Sequence, residues 1–149
     1  MSSLPDSLLQ TLREGSLESA LQATLTHFGC QAGTYHRLEG ELLHLAASVH
    51  IPPPVVALVQ QVPIGKGIAG LAAERKAPVT ICNLQTDTSG QARPAAKNTG
   101  MEGSLAVPAL DANGILAGVL GIAKAEAHDW TDSETAAVTE AARVFASRT

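Results

Sequence analysis

The segment Gly65–Gly70 fits the spacing G-x-G-x-x-G, and its surroundings restrict the fold more than any other feature of the chain. In a dinucleotide-binding fold this motif follows a buried parallel strand and opens a helix. The apolar, alanine-rich residues from Ile68 to Glu74 predict the helix. The strand is not predicted, because Pro63 cannot donate to a sheet ladder and Pro52–Pro54 lies just upstream. Dinucleotide binding is therefore disfavoured.

A phosphate-binding loop of the Walker type does not fit the motif either. Leu71 and Ala72 follow Gly70 where lysine and serine or threonine are required. Glycine also has a purely structural use, since it permits tight turns and close approach of a helix to a sheet. We therefore predict that the motif shapes the main chain rather than cradling a phosphate.

Composition indicates one domain with an aliphatic core. The chain has 149 residues, of which 45% are hydrophobic but only 3% aromatic. This length is sufficient to bury a substantial core. We expect a single domain over residues 1–149, with its core at about 16–146 and an N-terminal helix within 1–14.

The sequence predicts neither a membrane segment nor a secretory signal. The longest apolar run, Ile115–Ala123, is strand-length and falls well short of the roughly 18 residues that span a bilayer. The first residues, Met1–Asp6, lack a basic flank and a long apolar stretch. We expect a cytoplasmic protein without a membrane partner.

Net charge argues against nucleic acid as a partner. The formal charge is −4, whereas nucleic-acid binding needs a basic face. Residues 51–100 are the basic exception, with five cations against two anions, a net +3. Two of these cations, Arg93 and Lys97, lie in the polar stretch Asn83–Gly103. A polar loop of this length in a compact domain is commonly functional or mobile.

Cysteine and histidine usage predicts neither a disulfide framework nor a metal site. Cys30 and Cys82 are the only cysteines, and we expect each to act as a small buried hydrophobe. The five histidines lack helical metal-ligand spacing. We therefore expect no metal and no cofactor.

The pattern of apolar residues predicts two helices and a hairpin in the first third of the chain. Leucines recur at helical spacing from Leu4 to Leu12, and Ser16 can cap a second helix that stops at Gly29. Gly33–Leu38 and Glu41–Val49 then predict a β-hairpin. In its second strand we expect one shared face, formed by Leu43, Leu45, Ala47 and Val49.

Further elements follow the hairpin. We predict a short helix or turn within Pro54–Val62, a strand at Pro78–Cys82 and a short helix at Arg93–Asn98. A second hairpin, Ser104–Leu110 with Ile115–Ala123, encloses a strong turn, although Pro108 calls for a bulge.

The last strand and the last helix complete the prediction. Ile115–Ala123 is apolar or small throughout, which is typical of a central strand. Thr131 and Glu134 form a capping box for a final helix.

Hairpins require antiparallel pairing, so the predicted fold class is α+β with a mainly antiparallel central sheet. The terminal helices should cover one face of the sheet. The short central helices and the long loop should cover the other face.

These pieces together resemble a GAF domain over most of the chain, from about Ser16 to Ala146. The resemblance is carried by Pro63–Gly70, Pro78-Val79, the second hairpin and Trp130–Glu134. It implies a small-molecule pocket beneath the face of helices and loop. It also implies terminal helices that form a homodimer and relay a signal to an output protein.

The resemblance implies a regulatory, small-molecule-sensing function, and three more specific activities of the family fit poorly. The cyclic-nucleotide motif is matched by Lys124, Trp130 and Glu134, but Ala123 and Ser133 replace its other two positions. Bilin-binding members attach their chromophore to a cysteine in the polar region, and this chain lacks the cysteine–histidine pair.

Free methionine-R-sulfoxide reductases are the enzymatic members of the family. They carry a cysteine between the motif glycines, where Ala69 stands here, and further cysteines in the long loop, where there are none. Cys82 at the loop's edge is the only candidate thiol. We expect no enzymatic activity, with a reductase as the disfavoured alternative.

The basic middle of the chain leads to a ligand hypothesis. We expect a small polar or anionic ligand near Arg93, Lys97 and Asn98. Further candidate ligand-binding residues lie on the adjoining strands: Tyr35, His36, Cys82 and Ser104. The competing interpretation is a ligand-free dimerisation or interaction domain. It rests on Leu4, Leu8 and Leu12, whose exposed stripe would pair the terminal helices of two copies.

Overall fold

The computed structural model describes residues 4–92 and 94–148. The first two and the last of the elements in these residues are α-helices. The helices are α1 (Asp6–Glu14), α2 (Leu17–Phe28), α3 (Pro53–Leu58), α4 (Gly67–Arg75), α5 (Asp132–Ser147) and a 3₁₀ helix at Pro94–Thr99. The strands are β1 (Ala32–Glu39), β2 (Leu42–Val49), β3 (Gln61–Pro63), β4 (Val79–Ile81), β5 (Gly103–Leu110) and β6 (Leu116–Lys124).

All described strands form one antiparallel sheet, in the order β3-β2-β1-β6-β5-β4. The predicted α+β class is confirmed, and β6 occupies the central position that its apolar sequence predicts. β3 and β4, which flank the glycine motif in sequence, lie at opposite edges of the sheet. No parallel β-α-β crossover runs through these described residues, which excludes a dinucleotide-binding arrangement here.

The glycine motif shapes the main chain as predicted. Gly65 has φ +90°, a conformation that other residues rarely adopt, and its N–H donates to the carbonyl of Gly70. At Gly70 a Cβ atom would lie 2.5 Å from the carbonyl oxygen of Pro63. The expectation that no strand precedes the motif is wrong in one respect. Gln61–Pro63 forms a short strand, and Pro63 is tolerated there because β3 is an edge strand.

A β-bulge changes which side chains of β2 share a face. Tyr35 pairs with Ala47 and His36 with Leu45, so Ala46 is an extra residue in β2. As a result Leu43 packs in the core with α4, whereas Val49 packs on the opposite face of the sheet. The predicted single apolar face of β2 is therefore wrong. The bulge interrupts the alternation of side chains between the two faces of β2, and no residue type in the sequence indicates it.

The terminal helices α1, α2 and α5 cover one face of the sheet, as predicted. The leucines of α1 and the one just before it are buried in this core: Leu4, Leu8, Leu9 and Leu12. The predicted exposed stripe on α1 is therefore wrong, because α2 and α5 bury it within the same chain. The homodimer that the stripe was meant to explain stays a prediction.

A capping box and hydrogen bonds from an arginine stabilise the two ends of the C-terminal helix. The Thr131 side chain accepts from the Glu134 N–H and the Glu134 carboxylate accepts from the Thr131 N–H, which confirms the capping box. At its other end, the guanidinium of Arg148 donates to the carbonyl oxygens of Leu12 and Gly15. Arg148 thereby satisfies carbonyls at the C-terminal end of α1 and ties the two terminal helices together.

Pro108 lies in the part of β5 that β4 does not reach. β4 pairs with residues 104–106 of β5, so Pro108 needs no donor toward that side. The predicted bulge at Pro108 is not found: Pro108 pairs regularly with Val119, and the register shift lies between Ala109 and Leu110.

Candidate functional site

A cavity of about 330 Å³ lies between the sheet and the layer formed by α3, α4 and the loop after β4. Its origin is the size of the side chains on the two faces of the sheet. The face covered by α1, α2 and α5 carries large residues on β5 and β6: Leu105, Val107, Leu120 and Ile122. The floor of the cavity carries small ones: Ala32, Ala106, Gly121 and Ala123. The helices α3 and α4, which cover the cavity side of the sheet, do not pack closely against these small residues, so an open volume remains.

The walls of the cavity are mainly aliphatic. Those contributed by α3, β3, α4 and the loop are Val55, Leu58, Val59, Val62, Ile68, Leu84 and Met101. Leu58 lines the cavity while 58% of its surface is exposed, which places it at the mouth. The volume lies at the lower end of the roughly 300–1,000 Å³ range of small-molecule sites. The arrangement fits a small molecule with a large apolar part.

His36 is the buried polar residue of the cavity. It is only 3% exposed, and its Nε2 lies 2.9 Å from the carbonyl oxygen of Val59. Because a carbonyl only accepts, Nε2 carries the hydrogen and Nδ1 is the unprotonated acceptor. Nδ1 is buried, with almost no accessible surface, and none of the described residues forms a hydrogen bond with it. Burial lowers the pKa of His36, which keeps the ring neutral.

The N-terminus of α4 faces the cavity at the rim. Lys66, Gly67, Ile68 and Ala69 all line it, and Lys66 is exposed. Among the described residues no carbonyl or side chain accepts from the N–H groups of residues 67–69. Lys66 forms no salt bridge within the described part of the chain. Free amides at a helix N-terminus and an adjacent cation favour an anionic group.

The residues predicted for the ligand site are distributed over several places. His36 and Ser104 line the cavity, Ser104 on the floor beside Ala123. Lys97 and Asn98 are exposed on the 3₁₀ helix and do not line it. Arg93 lies outside the described residues.

Tyr35 lies on the opposite face of the sheet from the cavity. Its ring packs on Phe145 of α5 with 4.8 Å between centroids. The reason is alternation along β1, since neighbouring residues of a strand point to opposite faces and His36 points to the cavity. The sequence-based reasoning did not single out Lys66 or the small residues of the floor. The lysine between two motif glycines and the glycines inside β6 were the signals available.

Neither cysteine lies in the cavity. Cys30 is buried on the side of the sheet that α1, α2 and α5 cover, and burial raises the pKa of its thiol to about 11. Cys82 is exposed at the end of β4, which differs from the buried position expected for it. A hydrogen bond with Asp129 raises the pKa of the Cys82 thiol. Both groups are therefore protonated thiols at neutral pH, whereas thiol redox chemistry needs a thiolate.

The residues that partly match the cyclic-nucleotide motif form a separate cluster. Lys124 Nζ lies 5.9 Å from the ring centroid of Trp130. The Glu134 carboxylate contacts His128 Nε2 at 2.8 Å and caps α5. None of these side chains lines the cavity. Their arrangement serves the start of α5.

No group of three or more histidine, cysteine, aspartate or glutamate residues is placed to hold a metal in residues 4–92 and 94–148. No helix in the same described ranges is long and apolar enough to cross a membrane.

A comparison with protein-family profiles shows to which family the chain belongs. The family profile of the GAF domain matches residues 13–147. The chain belongs to the GAF domain family. None of the curated proteins matches the sequence.

Solved structures agree with the GAF fold. The GAF domain of a phosphoenolpyruvate-protein phosphotransferase from Coxiella burnetii superposes with a TM-score of 0.74 at 20% identity, covering 95% of this chain and 90% of that one. Free methionine-R-sulfoxide reductase from Neisseria meningitidis, in complex with its substrate, gives 0.75 at 14% identity, covering 99% and 93%. A type II enzyme of the same name from Thermoplasma acidophilum gives 0.74 at 16%, covering 94% and 93%. At such identities the similarity shows the fold alone.

Proposed function

We propose that this GAF domain is a regulatory, non-enzymatic module that senses a small, largely apolar molecule in the cavity between the sheet and α3–α4. The observation that carries the proposal is the cavity itself, which combines an aliphatic wall and a small-residue floor with a few polar side chains, among them His36 and Ser104. Ligand sites typically have this composition, with a few polar groups to orient the molecule. Lys97 and Asn98 are exposed outside the cavity, so the ligand is assigned to the His36 and Ser104 side instead.

A thermal-shift panel of small apolar and amphipathic metabolites tests the proposal. A ligand at 100 times its Kd should stabilise the folded state by about 2.7 kcal/mol. In a domain of this size that corresponds to a rise in Tm of roughly 5–10 °C.

The variant Ala123→Leu places three more carbons on the cavity floor and should abolish the shift. Ala127→Leu is the matched control, because Ala127 is exposed outside the cavity. The proposal fails if no member of the panel stabilises the wild type, or if Ala123→Leu binds as tightly as Ala127→Leu.

Free methionine-R-sulfoxide reduction is the second candidate, favoured by the reductases among the structural neighbours. The protonated state of both thiols and their positions outside the cavity weigh against it. We expect no thioredoxin-dependent turnover of free methionine-R-sulfoxide. Turnover that disappears in Cys82→Ser would replace the sensor proposal with an enzymatic one.

A further inference from the structure

The floor of the cavity contains two rows of residues, each of which crosses β1, β6 and β5. In the order of strand pairing, the rows are Ala32, Ala123 and Ser104, and then Thr34, Gly121 and Ala106. Thr34 and Ser104 are the polar members and stand at diagonally opposite corners. The members between them have a methyl group or no side chain, so the polar groups of the floor are concentrated at two points.

The hydroxyl group of Thr34 faces the cavity. A Cβ atom added to Gly121 would point to the cavity side, because Leu120 and Ile122 pack on the opposite face of the sheet. That atom would lie 3.1 Å from Thr34 Oγ1. The hydroxyl group therefore lies beside the open space above Gly121. No described residue forms a hydrogen bond with it, and the half-buried Thr34 leaves it accessible.

Ser104 supplies the second hydroxyl group. Its neighbour Leu105 packs on the far face of the sheet, so the side chain of Ser104 points to the cavity. Within the described part of the chain this hydroxyl group is also unpaired, and it is accessible. Both hydroxyl groups can donate and accept a hydrogen bond, so each can pair with a ligand alcohol or carbonyl.

The position of these two residues limits the length of the ligand. Their Cα atoms lie about 12 Å apart, since they are separated by two strand spacings across the sheet and two residues along it. A hydrogen bond of about 2.8 Å at each end leaves about 6 Å between the two polar groups of the ligand. A single six-membered ring with substituents at opposite ends has this length.

The residues between the hydroxyl groups favour a flat and uncharged body. A glycine inside a strand lets a ligand approach the main chain closely, and a planar ring can lie against Gly121 without a protruding atom. Apart from neutral His36, Lys66 at the exposed rim is the only ionisable residue among the described residues that line the cavity. A charged group on the floor would have no counter-charge, and burying an unpaired charge is costly.

We infer that the cavity binds an uncharged, planar ring with hydrogen-bonding groups at opposite ends, one on Thr34 and the other on Ser104. This assignment rests on the proposed function, since it names the ligand class of the same cavity. The two hydroxyl groups determine specificity, and Gly121 makes room for the ring. Neutral phenols with an alcohol or ketone group opposite the phenol have the required chemistry.

Titration of the ¹⁵N-labelled protein followed by NMR tests each element of the ligand. The probe is 4-hydroxybenzyl alcohol, added to millimolar concentration. 4-Ethylphenol lacks its alcohol group, 4-methylbenzyl alcohol lacks its phenol group, 4-hydroxybenzoate is charged, and 4-(hydroxymethyl)cyclohexanol is not planar. We expect the probe to bind most tightly, about fivefold more tightly than either compound with one hydroxyl group, and to shift the amide signals of Ala106 and Gly121.

Two conservative variants assign the hydrogen bonds to residues. Thr34→Val and Ser104→Ala each remove one hydroxyl group and should each weaken 4-hydroxybenzyl alcohol about fivefold. Each variant should also weaken one of the two compounds with a single hydroxyl group and leave the other unchanged. Thr80→Val is the matched control, because Thr80 is exposed on β4 and does not line the cavity.

The outcomes separate this inference from the proposed function. If Ala123→Leu abolishes binding of a member of the metabolite panel but Thr34→Val and Ser104→Ala do not weaken it, the sensor proposal stands and the ligand class is overturned. The class is also overturned if 4-hydroxybenzyl alcohol does not bind, or if 4-hydroxybenzoate or the cyclohexanol binds more tightly. Fivefold losses in Thr34→Val and Ser104→Ala, with none in Thr80→Val, support it.

Discussion

Gly70→Ala is the sharpest test of the structural role assigned to the glycine motif. An alanine in a helix interior is normally more favourable than glycine by about 1 kcal/mol. At Gly70, however, the added Cβ would lie 2.5 Å from Pro63 O and 3.1 Å from Gly65 N, both backbone atoms. Ordinary contacts begin at 3.4 Å, so the chain before α4 must move by nearly 1 Å. Such a shift also strains the 2.8 Å hydrogen bond from Gly65 N to Gly70 O.

The expected magnitude follows from these opposing effects. Overpacking costs about 1–3 kcal/mol and a weakened hydrogen bond about 0.5–1.5 kcal/mol, against the gain in helix propensity of about 1 kcal/mol. The net expectation is a loss of about 2 kcal/mol in the free energy of unfolding. Tm should fall by roughly 4–8 °C.

Urea unfolding followed by far-UV circular dichroism measures this loss, with Gly40→Ala as the matched control. Gly40 differs from Gly70 in having a positive φ, +64°, and a Cβ there meets nothing within 4 Å. Gly40→Ala should therefore cost only the conformational strain, about 1–2 kcal/mol. A Gly70→Ala variant as stable as the wild type would refute the close approach of Pro63 to α4, and with it the structural reading of the motif.

Two further predictions concern His36 and Arg148. Burial lowers the pKa of His36, against the hydrogen bond to Val59, which raises it, and with a smaller contribution from His44, which also lowers it. Below about pH 6.5 the unfolded chain therefore binds a proton that the folded chain does not. The free energy of unfolding should have its full value above that pH and decrease as pH falls, by at most about 1.4 kcal/mol per pH unit. Urea midpoints from pH 7.5 to 5 should show this decrease in the wild type but not in His36→Gln. Arg148→Ala should cost about 2 kcal/mol and increase amide exchange in α1, since two carbonyls lose a charged donor; exchange confined to α5 would contradict this.

Where local rules apply, the sequence was sufficient to predict the structure. Ser16 caps α2, Gly29 ends it in a left-handed conformation, and the capping box starts α5, all at the predicted positions. Each of these features depends on a few neighbouring residues whose hydrogen bonds do not involve the rest of the fold.

The features that failed depend on contacts between distant segments. The bulge at Ala46 is set by the pairing of β2 with β1, and no residue type in β2 marks it. The leucines of α1 look like an exposed stripe in isolation, and only the packing of α2 and α5 buries them.

The candidate site shows the same division between local and long-range information. The charge pattern pointed to Arg93, Lys97 and Asn98, whereas the cavity exists because the residues on its floor have small side chains or none. Ala106, Gly121 and Ala123 leave its volume open only because β5 and β6 are adjacent and present them on one face. Small residues are inconspicuous in a sequence, and strand pairing had to be known before their common face could be recognised.

The same pairing explains why the cavity and the C-terminal helix meet in one strand. His36 and Tyr35 are neighbours on β1, one directed to the cavity and the other packed on Phe145 of α5. The bulge in β2 lies opposite this pair and interrupts the regular pairing of β1 with β2. We therefore expect a ligand that displaces β1 at His36 to disturb the neighbouring contact between Tyr35 and Phe145 of α5.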